Sequence, residues 1–149
     1  MKNKTIELIL TRTSCREYSD KKVSLAKITS IAEAGKMAPS ARNRQIANIL
    51  VVRNKRYVEM LRKLSIKELD RDCFYGANSM ILVHAPRDDK FCTQDCSCIL
   101  ENMFLAATSL GLGNVQTNVW TVQFPALVKK INACKTVESV EKIKIEYSV

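Results

Sequence analysis

The stretch that decides the architecture is Asp95-Cys96-Ser97-Cys98-Ile99-Leu100-Glu101-Asn102-Met103-Phe104-Leu105-Ala106-Ala107-Thr108-Ser109-Leu110. Its apolar residues Ile99, Leu100, Met103, Phe104, Leu105, Ala106, Ala107 and Leu110 recur at helical spacing. They cover more than the stripe a surface helix buries against one core. Gly111-Leu112-Gly113 closes the segment as a helix C-cap should. A chain of 149 residues covers one side of such a helix well and two sides poorly. A second copy of the chain is the natural cover, so the pattern predicts a homodimer built around this helix. A central core helix in a monomer would show the same composition.

On the N-terminal side, Thr5 to Leu10 reads as a short helix with Ile6, Ile9 and Leu10 on one side, followed by a polar stretch from Thr11 to Lys22. Ser24 is an N-cap for a second helix marked by Leu25, Ile28, Ile31, Ala32 and Ala38, which should stop near Gly35 to Pro39. Ser40 to Gln45 reads as a loop. Ile49 to Val52 and Met80 to Val83 are buried strands, with Tyr57 to Leu64 a helix between them. Beyond the long helix, Asn114 to Trp120 reads as a strand, Pro125 to Cys134 as a helix with Pro near its start, and Lys142 to Tyr147 as a final strand. Strands separated by helices predict a mixed α/β or α+β sheet in one domain spanning residues 1–149.

Composition narrows the class. Hydrophobic residues make up 46% of the chain and charged ones 26%, with only four Gly and three Pro. Disordered and collagenous chains are excluded. No run approaches the roughly 18 apolar residues of a membrane span, and Met1-Lys2-Asn3-Lys4 leads into no secretory signal. The expectation is a soluble cytoplasmic protein. The six cysteines then read as free thiols. Cys92, Cys96 and Cys98 lack zinc-knuckle spacing, and His84 is the single histidine, so no metal site is expected. The net charge of +9 is uneven. Residues 1–71 hold 17 Lys/Arg against 7 Asp/Glu, while residues 72–149 hold 7 against 8. The basic half suits an anion: nucleic acid, a membrane surface or a phosphorylated small molecule.

Three segments carry candidate chemistry. If Arg12-Thr13-Ser14-Cys15-Arg16 is extended, residues 12, 14 and 16 point the same way. Two guanidinium forks and a hydroxyl then converge as a phosphate site would require; a solvated basic turn would use the same residues. In Pro39-Ser40-Ala41-Arg42-Asn43-Arg44-Gln45, the amides of Asn43 and Gln45 each offer a donor and an acceptor, which suits a heterocycle edge or sugar hydroxyls. Ordinary turn chemistry accounts for Pro and Asn here as well. In Gly111 to Asn118, glycine allows close backbone approach, although a helix stop alone explains it.

Taken in order, these segments resemble the nitroreductase family of flavin enzymes over roughly residues 5–115. Arg12-Thr13-Ser14-Cys15-Arg16-Glu17-Tyr18 resembles the family's Arg-x-Ser-x-Arg-x-aromatic start. Ala38-Pro39-Ser40-Ala41-Arg42-Asn43-Arg44-Gln45 resembles its Ala-Pro-Ser-x-x-Asn-x-Gln hallmark. Phe74-Tyr75-Gly76-Ala77 resembles the entry to the middle strand, and Asp95 through Gly113 the long dimer helix and its exit. Ile46-Ala47 stands where the family usually has Pro-Trp, and Asn78 where Pro commonly follows Gly-Ala.

The resemblance implies an α+β sandwich with a mostly antiparallel central sheet, dimeric about the long helix, holding FMN at the subunit interface. It implies that NAD(P)H delivers hydride to the flavin and that a small-molecule electron acceptor, a nitro compound or quinone, then replaces it. Arg12, Thr13, Ser14 and Arg16 would hold the phosphate and ribityl chain. Pro39, Ser40, Asn43 and Gln45 would approach from the other subunit, and Gln116, Thr117 and Asn118 would lie along the isoalloxazine. No catalytic side chain and no metal is implied. Two other readings stay open on the sequence: a flavin-binding family member without reductase turnover, and a small basic nucleic-acid-binding protein.

Overall fold

The computed structural model describes residues 3–86, 88–116 and 140–143. The elements in chain order are α1 (Lys4–Thr11), α2 (Leu25–Lys36), a 3-10 turn (Ala41–Asn43), β1 (Asn48–Val52), α3 (Lys55–Leu69), β2 (Met80–His84), α4 (Cys92–Ser109) and β3 (Val140–Ile143). The strands form one antiparallel sheet in the order β2-β1-β3, with Leu50 opposite Leu82 and Lys142. The fold is α+β.

The apolar run in β1 is continuous because the strand is central and covered on both faces. Leu50 and Val52 pack with Val58, Leu61, Phe74 and Met80 on the α3 side. Ile49, with Ala47 just before the strand, packs with Ile31, Ala32, Ile99, Met103 and Ala107 on the α2 and α4 side. Alternation along the strand thus divides the core into two layers. Gly35 lets α2 approach that second layer. A Cβ on Gly35 would lie 2.8 Å from Met103 Cγ and 3.1 Å from Ile49 Cδ1, closer than side chains pack.

Local chemistry sets the helix ends. Asn3 caps α1 by accepting from the Thr5 and Ile6 amides, and Ser24 caps α2 from Lys27. Asn54 caps α3 by accepting from Arg56. The apolar spacing from Tyr57 predicts that α3 stops at Leu64, but the helix continues to Leu69. Ser65 interrupts the apolar pattern and yet is fully buried. Its hydroxyl donates to the Arg71 carbonyl at 2.7 Å and accepts from the Cys73 amide at 2.9 Å, tying the helix to the turn that follows.

The long helix begins at Cys92, three residues before the expected Asp95. It buries one stripe, Asp95, Ile99, Met103 and Ala107. Leu100, Phe104, Leu105 and Ala106 remain only half-buried, so this chain covers part of the wide apolar face. The apolar side of α1 is also uncovered, with Ile6, Ile9 and Leu10 all exposed. The expected strand Asn114–Trp120 is reduced, over its described residues, to a single bridge at Asn114. The last strand starts at Val140, two residues before its expected start. The expected helix Pro125–Cys134 and the remainder of both strands lie outside the described residues. No described helix is long and apolar enough to cross a membrane.

Candidate functional site

The chain leaves α1 in extended backbone at Arg12 (φ −60°, ψ 125°). Ser14 then pairs in a parallel bridge with Asn114, and the Cys15 amide donates to the Asn114 carbonyl at 2.8 Å. The pairing and the Arg12 backbone give this stretch a strand-like course at Arg12 and Ser14. Arg12 is half-buried, whereas Thr13, Ser14 and Arg16 are exposed. Among the described residues neither guanidinium takes part in a hydrogen bond or ion pair with the protein; the ion pairs there involve Lys36, Arg44 and Arg62.

Two neighbours hold this segment. Asn114 donates its Nδ2 to the Phe104 carbonyl at 3.3 Å and to Thr108 Oγ1 at 3.0 Å, fastening the segment to the end of α4. Its buried Oδ1 has no partner among the described residues. Gly113 lies against Cys15, where a Cβ would come 2.7 Å from Sγ. Tyr18 donates to the Cys15 carbonyl at 2.9 Å. Burial, assisted by the nearby Cys15 and Tyr75, pushes its phenol up to about 12.

The second group lies at the other end of α4. Ser40 Oγ accepts from the Gln45 amide at 3.0 Å, and Gln45 Nε2 donates to Asn43 Oδ1 at 3.0 Å. Arg42, Asn43 and Gln45 all have left-handed backbone, with φ of 56°, 53° and 53°. That region costs a residue with a Cβ roughly 1–2 kcal/mol, and asparagine tolerates it best. The loop is therefore strained, and two carboxylates hold it. Asp95 Oδ1 accepts from the Ala41 amide at 2.9 Å. Asp89 receives the Arg44 guanidinium on both oxygens, at 2.6 and 2.9 Å. The hydrogen bond from Arg44, and then that from the Phe91 amide, keep the Asp89 carboxyl below its usual range.

The predicted residues thus fall into two clusters within one chain. Arg12, Thr13, Ser14 and Arg16 lie beside Asn114, two residues before Gln116. Pro39, Ser40, Asn43 and Gln45 lie beside the first turn of α4. Thr117 and Asn118 lie outside the described residues. A cavity of about 1560 Å³ opens between β2, α4 and the segment after Cys15, but of the predicted residues that are described only Gln116 lines it. Asp95, Asp89 and Asn114 escaped the sequence reading as supporting residues. Asp95 carried one legible signal, an acidic side chain on the otherwise apolar stripe of a helix. Among the described residues, no three His, Cys, Asp or Glu side chains gather as a metal site.

The description "Nitroreductase family" belongs to the family model that matches residues 9–72. A relative from Archaeoglobus fulgidus, with the provisional name NADH dehydrogenase/NAD(P)H nitroreductase, is 38% identical over 120 residues, covering 77% of this chain and 67% of its own. A relative of the same provisional name from Methanothermobacter thermautotrophicus is 33% identical over 148 residues, covering 97% and 73%. The crystal structure of a nitroreductase with bound FMN from Bacteroides fragilis superposes with a TM-score of 0.79 at 27% identity, covering 95% of this chain and 84% of that one.

Proposed function

This chain belongs to the nitroreductase family, and from that membership we propose an FMN-dependent oxidoreductase that takes hydride from NAD(P)H and reduces nitro compounds, quinones or similar electron-poor acceptors. The observation that carries the reading is the Arg12–Arg16 segment pinned to Asn114 at Ser14, with a cation two residues to either side of that bridge and no protein anion paired to either among the described residues. A phosphate fits that arrangement, since guanidinium groups take its oxygens bidentately and the Ser14 hydroxyl adds a short donor. Asn43 and Gln45 supply amide donors and acceptors for the polar edge of a flavin ring; Gln116 and Asn118 would add amides and Thr117 a hydroxyl.

Bound FMN would supply the hydride transfer between nicotinamide and acceptor. The protein's own work is to bind and orient. Arg12 and Arg16 neutralise the phosphate, Ser14 and Thr13 steady the chain beside it, and the Pro39–Gln45 loop presents its amides. No side chain is assigned a proton transfer.

The two clusters require a second copy. Helix α4 has 18 residues, which at 1.5 Å per residue separates its ends by roughly 27 Å. One cluster sits at each end. Two copies paired antiparallel along the half-covered face of α4 set each chain's Arg12–Arg16 segment against the partner's Ser40–Gln45 loop, so one dimer contains two complete sites.

The purified protein, reconstituted with FMN, should show a flavin absorbance spectrum that NADH or NADPH bleaches without oxygen and that a quinone then restores. A protein that gains no flavin spectrum contradicts the cofactor assignment. A flavin spectrum that neither nucleotide bleaches contradicts the reductase and leaves flavin binding alone.

A further inference from the structure

Ser65 and Asp95 are the buried polar side chains among the described residues. Ser65 is satisfied on both sides by its own helix end and turn. Asp95 is different. It stands at the head of the buried stripe that continues through Ile99, Met103 and Ala107, where an apolar residue would complete the packing. Its exposure is 3%. One oxygen, Oδ1, accepts from the Ala41 amide, while Oδ2 is buried with no partner among the described residues. A carboxylate kept in the core with one bond made and one missing is unfavourable for packing and for solvation. Its one bond reaches 54 residues back along the sequence, to the loop with three left-handed residues and no glycine.

We infer that Asp95 is a positioning residue for the flavin site: by holding the Ala41 amide it keeps the Ser40–Gln45 loop in the left-handed shape that presents Asn43 and Gln45. The inference rests on the FMN reading, but its structural half can be judged without flavin. Released from Ala41, the loop relaxes toward ordinary right-handed or extended backbone. If the competent shape falls to about a tenth of the population, apparent affinity falls about tenfold. Asn at position 95 keeps an acceptor oxygen and should keep the loop. Ala removes it.

The experiment compares wild type, Asp95→Asn, Asp95→Ala and, as a core control, Ile99→Val. It reads amide hydrogen exchange of the flavin-free protein and FMN affinity by fluorescence quenching. Asp95→Ala should speed exchange in the 40–45 segment and weaken FMN about tenfold, while Asp95→Asn restores both. Ile99→Val should lower the melting temperature and leave loop exchange and affinity unchanged. The inference is overturned if Asp95→Ala matches wild type in either readout, or if Asp95→Asn is as impaired as Asp95→Ala. Should Asp95→Ala not fold, the wild-type protein still decides, because an Ala41 amide that exchanges as fast as free loop amides excludes the hold. Failure of wild type to bind FMN removes the flavin reading, and the exchange data then judge the loop alone.

Discussion

Replacing Arg12 by methionine should weaken FMN binding far more than replacing Arg16, and neither change should weaken riboflavin. Methionine keeps much of the apolar stem and deletes the guanidinium. Arg12 is half-buried and Arg16 exposed, and that difference sets the magnitudes. A hydrogen bond to a charged group, partly shielded from water, contributes about 1.5–3 kcal/mol. An exposed ion pair contributes about 0.2–1 kcal/mol. At 1.4 kcal/mol per tenfold, Arg12→Met should raise the Kd for FMN roughly 10- to 150-fold, and Arg16→Met about 1.5- to 5-fold. The Arg16 contribution should fade between low and physiological salt, because exposed charges are screened over a Debye length of about 8–10 Å. Riboflavin has the ring and ribityl chain without the phosphate, so both variants should bind it as wild type does. The assay is quenching of flavin fluorescence on titration with flavin-free protein. An Arg12→Met protein that holds FMN as tightly as wild type, or that loses riboflavin to the same degree, refutes the placement of the phosphate.

Three further outcomes follow from the fold. Ser65→Ala deletes one buried and one part-buried hydrogen bond and strands the buried Cys73 amide, which should cost about 2–4 kcal/mol and lower Tm by roughly 5–15 °C; a calorimetric shift under about 2 °C contradicts it. Burial favours the protonated Asp72 carboxyl, but hydrogen bonds from the Phe74 and Gly76 amides and from Arg62 outweigh it and hold the group below its ordinary 3.8. Its stabilisation is therefore complete above that value and lost as pH falls through the lower folded value. Urea melts at descending pH should show an acid limb that Asp72→Asn flattens, and an unchanged limb would contradict the pairing. Burial, with the nearby charges of Cys92 and Asp95, pushes the Cys96 thiol up to about 11. Its alkylation, followed by mass spectrometry of the Cys96 peptide, should keep accelerating up to about that pH, and a rate that levels off near 9 would disprove the shift.

The sequence makes the framework readable wherever local periodicity and tertiary burial agree. Ile49–Val52 is apolar without a break because β1 is covered on both faces, and Ser24 announces α2 because a hydroxyl there satisfies a free amide whatever surrounds it. The reading weakens where a polar residue is buried for a distant reason. Ser65 ends an apolar pattern without ending a helix, since its partners lie in a turn that the pattern does not describe. The expected convergence of Arg12, Ser14 and Arg16 depends on extended backbone, and the pairing that bears on it is a bridge from Ser14 to Asn114, one hundred residues downstream. The loop residues Asn43 and Gln45 are visible as amides, but the carboxylates bound to their neighbours Arg44 and Ala41, Asp89 and Asp95, are identifiable only once the chain is folded.

The setting of α4 against α2 ties the two clusters into one rigid spacing. The helices run antiparallel, and polar ties mark their contact from end to end. Lys27 at the start of α2 donates to the Leu110 carbonyl at 2.8 Å, Asn102 donates to the Ala34 carbonyl at 3.1 Å, and Asp95 holds the Ala41 amide just past the end of α2. Between them, Gly35 leaves room for the Met103 and Ile49 side chains, which a methyl group there would crowd. In the proposed two-fold pair each site would take one cluster from each chain, so the separation along α4 would set how the clusters meet. A change at Gly35 that pushes α2 off α4 would thus displace the Ser40–Gln45 loop of one chain from the Arg12–Arg16 segment of its partner. Packing in the core, rather than contact with flavin, would then control affinity.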